Sequence, residues 1–476
     1  TLEATRHIIA SFRKEDTMGT VLESILTYAY LTVLYFLQGV PYGVQDKLLP
    51  QHLRSNRFSY SKLTLARILL VPWLCKPLFA SYIEKRWTQK RWLQVFLGVM
   101  TAVTWLSSYF GENVWSFVGT LFLLNVVSAS FDISVDIVAM DVLEGSQLSL
   151  GSAVQVGAYK VGAIFGGGVL FLLQLLAGVK GILRGMSVVY ALGLCIVTLR
   201  SDPQERPGSG SEAGSAEETG GDDFKLADVQ SREGLRRRKG ESEKLLEGSE
   251  STSRDGKTDE TILASLLERL KMAVSVDGTL GLAVFLIFYK AGEYGILTTY
   301  PSFLLDRGYS YFVVGFLNGG LAQVISILGS LIGGYMARSS RSQKSLLLKL
   351  CIARVLPAAL ICITNTIIVI LWLWDLMLVT NIMCIADFGV AGMLTLNLVS
   401  GMITTVVFTM MMSMSQTLQR GLRSTHFSFL CTVEVVGKLA ASILVGPCID
   451  LVGKTPTYFV MTALAVASIA TTRLLK

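Results

Sequence analysis

Charge is what this chain has least of. Of its 476 residues only 16% are Asp, Glu, Lys or Arg, against 51% hydrophobic, where soluble domains carry about a quarter charged. That shortage excludes an ordinary water-soluble globule. Cysteine is sparse as well. Seven thiols, at 75, 195, 351, 362, 384, 431 and 448, show no metal-ligand spacing and fall mostly within apolar runs, so they read as small packing residues and neither metal nor cofactor is expected. No Asn-X-Ser/Thr acceptor occurs, which is silent on compartment. The formal charge of +7 does not point to nucleic acid, because the basic residues cluster in loops between apolar stretches. Residues 1–20 are polar and of mixed charge, so no cleaved leader is expected.

What fills the chain is a series of apolar runs of about 20 residues, the length that crosses a bilayer as a helix. The reading is an all-α polytopic membrane protein. Spans are expected near 25–45, 60–82, 92–110, 115–141, 150–176 and 182–199, then 280–300, 312–336, one from 346, 393–415, 425–448 and 458–474. Residues 346–389 are almost continuously apolar; one long ninth span plus a segment lying along the membrane keeps the total at twelve. Residues 201–262 are Gly-, Ser- and charge-rich and nearly free of aromatics, the composition of a disordered linker. They divide the chain into a segment 1–24, a half 25–200 and a half 263–476. The basic loops at 85–91, 201–262, 338–344 and 420–423 and both ends fall on one side, which places the termini in the cytosol, in a plasma or organelle membrane.

The stretch that most limits function is Phe131-Asp-Ile-Ser-Val-Asp-Ile-Val-Ala-Met-Asp141, closing the fourth run. Asp132 and Asp136 are four apart and share one helix face. A carboxylate near the bilayer centre costs about 2.5–3.5 kcal/mol on the insertion scale, so the pair must face a wet cavity or a basic partner, unless it merely sits at a helix end near headgroups. Two carboxylates so close disfavour double ionisation and should titrate as a unit, the property wanted of a proton-coupling site. Lys76, inside Pro72-Trp-Leu-Cys-Lys-Pro77, either snorkels to the interface or serves as their counter-charge; Lys160 is the other candidate partner. Gln38, Tyr42 and Gln45 line one side of a first span that Pro41 should kink or loosen. Gly157, Gly162 and Gly166–Gly168 read mainly as close helix packing. Lys290 and Glu293 stand in the seventh span, and Glu434 and Lys438, four apart, can neutralise each other in the eleventh. His426 has no acidic partner nearby in sequence and reads as a packed residue, which leaves an acyltransferase poorly supported.

An offset of about 250 residues brings Phe36–Gly43 onto Phe288–Gly295, Ser59-Tyr60 near Ser310-Tyr311, and Tyr82–Lys85 near Tyr335–Arg338. Six spans, a linker and six parallel spans resemble the plan of the major facilitator superfamily, whose first, fourth, seventh and tenth helices border a central cavity. Pro72–Pro77, Glu84-Lys-Arg86 and Phe131–Asp136 together resemble its AmpG and acetyl-coenzyme A transporter branch, with Leu37–Gly43 and Thr425–Lys438 similar to animal members. The resemblance implies twelve transmembrane helices in two parallel six-helix halves. It also implies alternating access and a small anionic or acylated solute, acetyl-coenzyme A among them. Under it, Gln38, Tyr42, Gln45, Lys76, Lys160, Lys290 and Glu293 bind substrate, Asp132 and Asp136 couple protons, and Glu84, Arg86 and Arg91 form a gating loop. The expected partners are the solute and the lipid bilayer, with the chain a monomer and no enzyme. A scaffold or receptor that kept the fold without moving solute is the competing reading.

Overall fold

A computed structural model describes residues 2–49, 69–110, 113–145, 147–200, 259–373, 379–419 and 421–475. Among these residues every regular element is a helix. In chain order they are α1 (Leu2–Gly43), α2 (Val71–Leu74), α3 (Lys76–Arg86), α4 (Gln89–Ser107), α5 (Val114–Val142), α6 (Gln147–Ile164) and α7 (Leu170–Leu199). After residues 201–258, which lie outside the described structure, come α8 (Asp259–Val274), α9 (Thr279–Asp306), α10 (Tyr311–Gly315), α11 (Ala322–Ser339), α12 (Gln343–Leu373), α13 (Val379–Gln416), α14 (Arg423–Val452) and α15 (Lys454–Thr471). Residues 1–200 and 267–476 form one compact unit; of 201–266, only the start of α8 is described.

Eight stretches are long and apolar enough to cross a membrane among the described residues, on α5, α7, α9, α10–α11, α12, α13, α14 and α15. The helices α1, α2–α3, α4 and α6 stand at the other expected spans. The outer surface is apolar: Leu192, Leu356 and Leu451 are 60, 74 and 83% exposed, which only a lipid environment makes favourable.

Sequence explains most of the breaks. Pro72 opens α2 and Pro77 sits in the first turn of α3, so the chain steps at Cys75 (φ −87°, ψ −4°) and Lys76 starts the new helix. Pro41 is carried within α1, and the loosening comes just after it as a π-helical turn, Val44–Leu48. The fifth and sixth spans part at Ala177 and Gly178; the latter has φ +60°, which glycine adopts without strain. The segment expected to lie along the membrane after the ninth span is not a separate helix. The apolar surplus is absorbed by length, since α12 runs on to Leu373 and α13 starts at Val379, with only 374–378 outside the described residues.

The first set of helices packs α1 on α6 and α4 on α5 and α7, and the second packs α9 on α14 and α15 and α13 on α11 and α12. The sets meet through α6 with α11 and through α3 with α14. Matched span for span, the second (α3) with the eighth (α11) and the fifth (α6) with the eleventh (α14), these two contacts exchange, as a pseudo-twofold relation requires. Glycine makes the α1–α6 contact possible. A Cβ on Gly39 would overlap the carbonyl oxygen of Tyr159, one on Gly43 that of Ala163, one on Gly162 that of Phe36, and one on Gly166 that of Val40. Backbones this close leave no room for a methyl group. Gly39→Val should therefore cost about 1–3 kcal/mol or more, while Gly168→Ala, with nothing within 4 Å, should be close to neutral. Thermal unfolding of the two variants side by side checks this; equal midpoints would dispose of the packing account.

Candidate functional site

The step at Cys75 delivers Lys76 to the middle of the first set, where it is 3% exposed. Its ammonium forms an ion pair with Asp132 and lies 3.8 Å from Asp136 Oδ2. Both carboxylates come from the buried face of α5. Tyr35 of α1 donates to Asp136 Oδ1 at 3.2 Å, and Gln155 Nε2 of α6 donates to the same oxygen at 3.1 Å. Asp136 Oδ2 has no hydrogen-bond partner among the described residues. One ammonium thus serves two buried carboxylates, which leaves one negative charge in a medium that penalises it. Of the alternatives open for Lys76, counter-charge is the one observed.

Further along α1, Gln38 is 1% exposed and its amide nitrogen is unpartnered among the described residues. Tyr42 packs on Tyr159 of α6 with ring centroids 5.7 Å apart. Gln45, in the π-helical turn, accepts from Asn125 Nδ2 at 2.7 Å, and Asn125 Oδ1 accepts from Trp73 Nε1 at 2.9 Å. Gln45 is therefore tied into a chain across α1, α2 and α5, away from the Asp pair.

A second charged cluster occupies the other set. Lys290 Nζ of α9 donates to Glu293 Oε1 at 2.9 Å and to Thr404 Oγ1 of α13 at 3.0 Å. Ser400 donates to the same Glu293 oxygen. The other oxygen, Oε2, faces Arg354 Nη1 of α12 at 3.4 Å. Arg354 is 0% exposed and also donates to the Tyr289 carbonyl at 2.7 Å and to Ser468 Oγ at 2.7 Å, knitting α12 to α9 and α15. Glu434 pairs with Lys438 at 2.9 Å and accepts from Tyr289 at 2.9 Å. Lys160 of α6 reaches the second set through hydroxyls, donating to Ser326 at 2.6 Å and Ser330 at 3.5 Å. No carboxylate lies within 4.0 Å of its ammonium among the described residues.

At the end where the basic loops lie, the two sets are bolted together. Arg423 Nε of α14 donates to Glu84 Oε1 at 3.0 Å and its Nη2 to Asp141, while Ser424 donates to Glu84 Oε2. Gln416 Nε2 donates to the carbonyls of Met140 and Leu143 at 2.8 and 2.7 Å. Glu84 is part of this closure. Arg86 and Arg91 are exposed; the arginine that grips Glu84 is Arg423, from the opposite set. His426, just inside, is 0% exposed and held between Thr279 and Ser415 hydroxyls at 2.9 and 2.8 Å. It has no room for a substrate.

The residues to which sequence reasoning assigns no role are Tyr35, Gln155, Arg354, Arg423 and the hydroxyls of Ser326, Ser330, Ser400 and Thr404; Asp141 is read as the end of the acidic stretch, without its partner. Arg354 carries the same signal as Lys76, a cation inside an apolar run, and that rule applied along the ninth span would find it. The hydroxyls carry no signal, since Ser and Thr are tolerated anywhere along such helices.

Comparison with known proteins agrees with this architecture. An uncharacterised protein of Schizosaccharomyces pombe is 29% identical over 147 residues, 28% of each chain, so the match spans little more than a quarter of that relative. The Escherichia coli transporter FucP, in a structure described as the outward conformation, superposes with a TM-score of 0.62 over 94% of this chain and 98% of its own, at 13% identity. A structure of a FucP variant, described as a fucose:proton symporter, gives 0.59 with the same coverage and identity. At that identity the likeness shows the fold alone. Residues 31–415, most of the chain, match the Major Facilitator Superfamily, and the chain belongs to that superfamily.

Proposed function

We propose that the protein is a secondary active transporter that moves a small anionic or acylated solute by alternating access, coupled to protons or to exchange. The observation that carries the reading is the imbalance of buried charge: one ammonium shared by Asp132 and Asp136, and another, that of Lys160, held by hydroxyls with no carboxylate within 4.0 Å among the described residues. Both imbalances are costly in a membrane, and both vanish when a proton and an anion bind. A scaffold has no use for either.

In this reading Asp136 takes the proton. Lys76 is engaged by Asp132, whereas Asp136 keeps one oxygen free of hydrogen bonds, and a proton there makes the triad neutral. In the same reading the bolt at Glu84, Asp141 and Arg423 closes the end that carries the basic loops, and the solute enters from the other end. Fucose:proton symport by a protein of the same fold is consistent with such coupling. The resemblance of Pro72–Pro77 and Phe131–Asp136 to the acetyl-coenzyme A transporter branch makes that compound one solute to test.

Uptake into proteoliposomes of labelled acetyl-coenzyme A and a panel of phosphorylated and carboxylated metabolites, with and without a proton gradient, tests the proposal. Saturable, gradient-stimulated uptake is expected for at least one anion. Asp136→Asn should remove the gradient stimulation, and Lys160→Gln should lower uptake at least tenfold. Uptake of neutral solutes only would overturn the anionic assignment, and folded protein that carries nothing would favour the scaffold.

A further inference from the structure

The charge cluster of the second set specifies more than the sign of the solute. Gly401 of α13 lies against the backbone of α11, where a Cβ would overlap the carbonyl oxygen of Ser326 and come within 2.9 Å of the Ser330 nitrogen. Ser326 and Ser330, which hold Lys160, are thereby set against the turn of α13 that carries Ser400 and Thr404, which hold Glu293 and Lys290. Lys160 and Lys290, from opposite halves, are thus held by hydroxyls on the two sides of this α11–α13 contact.

The balance of charge here is definite. Glu434 and Lys438 cancel each other. Glu293 lies between two cations, Lys290 on Oε1 and Arg354 on Oε2, so this trio retains one positive charge. Arg354 has no exposure and cannot meet a solute, so that charge is presented by Lys290. Lys160 adds another. Asp46, in the π-helical turn after α1, is exposed to solvent and engaged in a contact of its own, so its charge is not counted here. Two positive charges remain, one on each half. A monoanion would leave one of them uncompensated, and a dianion leaves neither.

Resting on the anion-carrier reading, we propose that Lys160 and Lys290 clamp a dianionic group, a phosphate monoester or a dicarboxylate, between the two halves, with the hydroxyls of Ser326, Ser330, Ser400 and Thr404 around it. The two ammoniums attract the ligand and cease to oppose each other once it is in place, so binding draws the halves together. Phosphate suits the clamp because its oxygens accept from several donors at once. Arg354 acts as a positioning residue: by holding the far oxygen of Glu293 it prevents that carboxylate from cancelling Lys290.

Thermal unfolding of the purified full chain in neutral-lipid nanodiscs tests the clamp, with inorganic phosphate and succinate as dianions, acetate and lactate as monoanions, at constant ionic strength. Phosphate and succinate should raise the midpoint saturably, at half-saturating concentrations at least tenfold below those of acetate and lactate. Lys160→Gln and Lys290→Gln should each abolish that preference, and Lys160→Arg should retain it. Lys290→Gln leaves Glu293 paired with Arg354, so loss of folding is not expected to obscure the result. Equal affinity for the two classes, or a wild-type preference in either glutamine variant, overturns the clamp. Saturable monoanion binding that Lys160→Gln removes would overturn it while leaving the anion carrier standing. Absence of any saturable anion effect overturns the clamp, and anion uptake in proteoliposomes then decides separately whether the carrier reading falls with it.

Discussion

Lys76→Met should destabilise the protein by about 3–5 kcal/mol, the cost of removing one partner from a buried ion pair. The reason lies in what the substitution leaves behind. Asp132 and Asp136 are 7 and 2% exposed, and without the ammonium two adjoining carboxylates face an apolar interior with only Tyr35 and Gln155 as donors. Removing the pair together is a different matter, because burying two apolar groups of similar volume in place of two ions is often neutral or favourable. Asp132→Asn added to Lys76→Met should therefore recover most of the loss, while Asp136 remains able to take a proton. The check is a double-mutant cycle read by thermal unfolding in detergent. Additive losses, with no recovery in the double variant, would mean that the Lys76–Asp132 contact is not what holds α3 to α5. The cycle also separates stability from charge: the double variant should fold and keep the single negative charge that one proton on Asp136 neutralises, so proton coupling should survive in it.

Much of this architecture is legible in the sequence because lipid imposes a single strict rule. Backbone polar groups must be satisfied within each segment, so apolar runs become helices, and loops are marked by charge. The Asp132–Asp136 spacing is legible for the same reason: charge within such a run has to be accounted for. Which cation answers the pair is not, because Lys76 and Lys160 are equally plausible until the break at Cys75 fixes where α3 begins. The closure at the basic end is half legible. Glu84 stands out by resemblance to a family, but its partner is 339 residues away and looks like an ordinary loop arginine. Residues 346–389 show the opposite failure. Hydropathy there cannot tell a longer helix from an additional one, and the answer lies in the ends of α12 and α13. The glycines are a mixed case: the run 157–168 marks a close approach, but not that α1 supplies the facing surface.

Breaking the bolt at the basic end should shift the protein toward the conformation open on that side, with a change of about 30-fold in the ratio of the two forms. Arg423 spans the halves through charge-assisted hydrogen bonds to Glu84 and Asp141. Bonds of this kind are worth about 1.5–3 kcal/mol each when buried and less where solvent reaches them, as at Asp141, whose side chain is 30% exposed. A total near 2 kcal/mol is a reasonable expectation, and about 1.4 kcal/mol corresponds to a factor of ten. Gln416 keeps its two bonds to Met140 and Leu143, so Arg423→Gln should loosen the closure without unfolding the chain. Cys431 supplies a reporter. It lies eight residues along α14 from Arg423, roughly 12 Å at the rise of a helix, and is 8% exposed on the face that meets Lys76 and the Asp pair. In a chain with every other cysteine replaced by alanine, a membrane-impermeant maleimide applied from the basic-loop side should label Cys431 at least tenfold faster in Arg423→Gln than in the parent. Gln416→Ala should add to that rate, because its bonds join the same two halves independently of Arg423. Unchanged labelling in both variants would show that the contact is an incidental surface pairing, and that the halves are held at this end by the packing of α3 against α14.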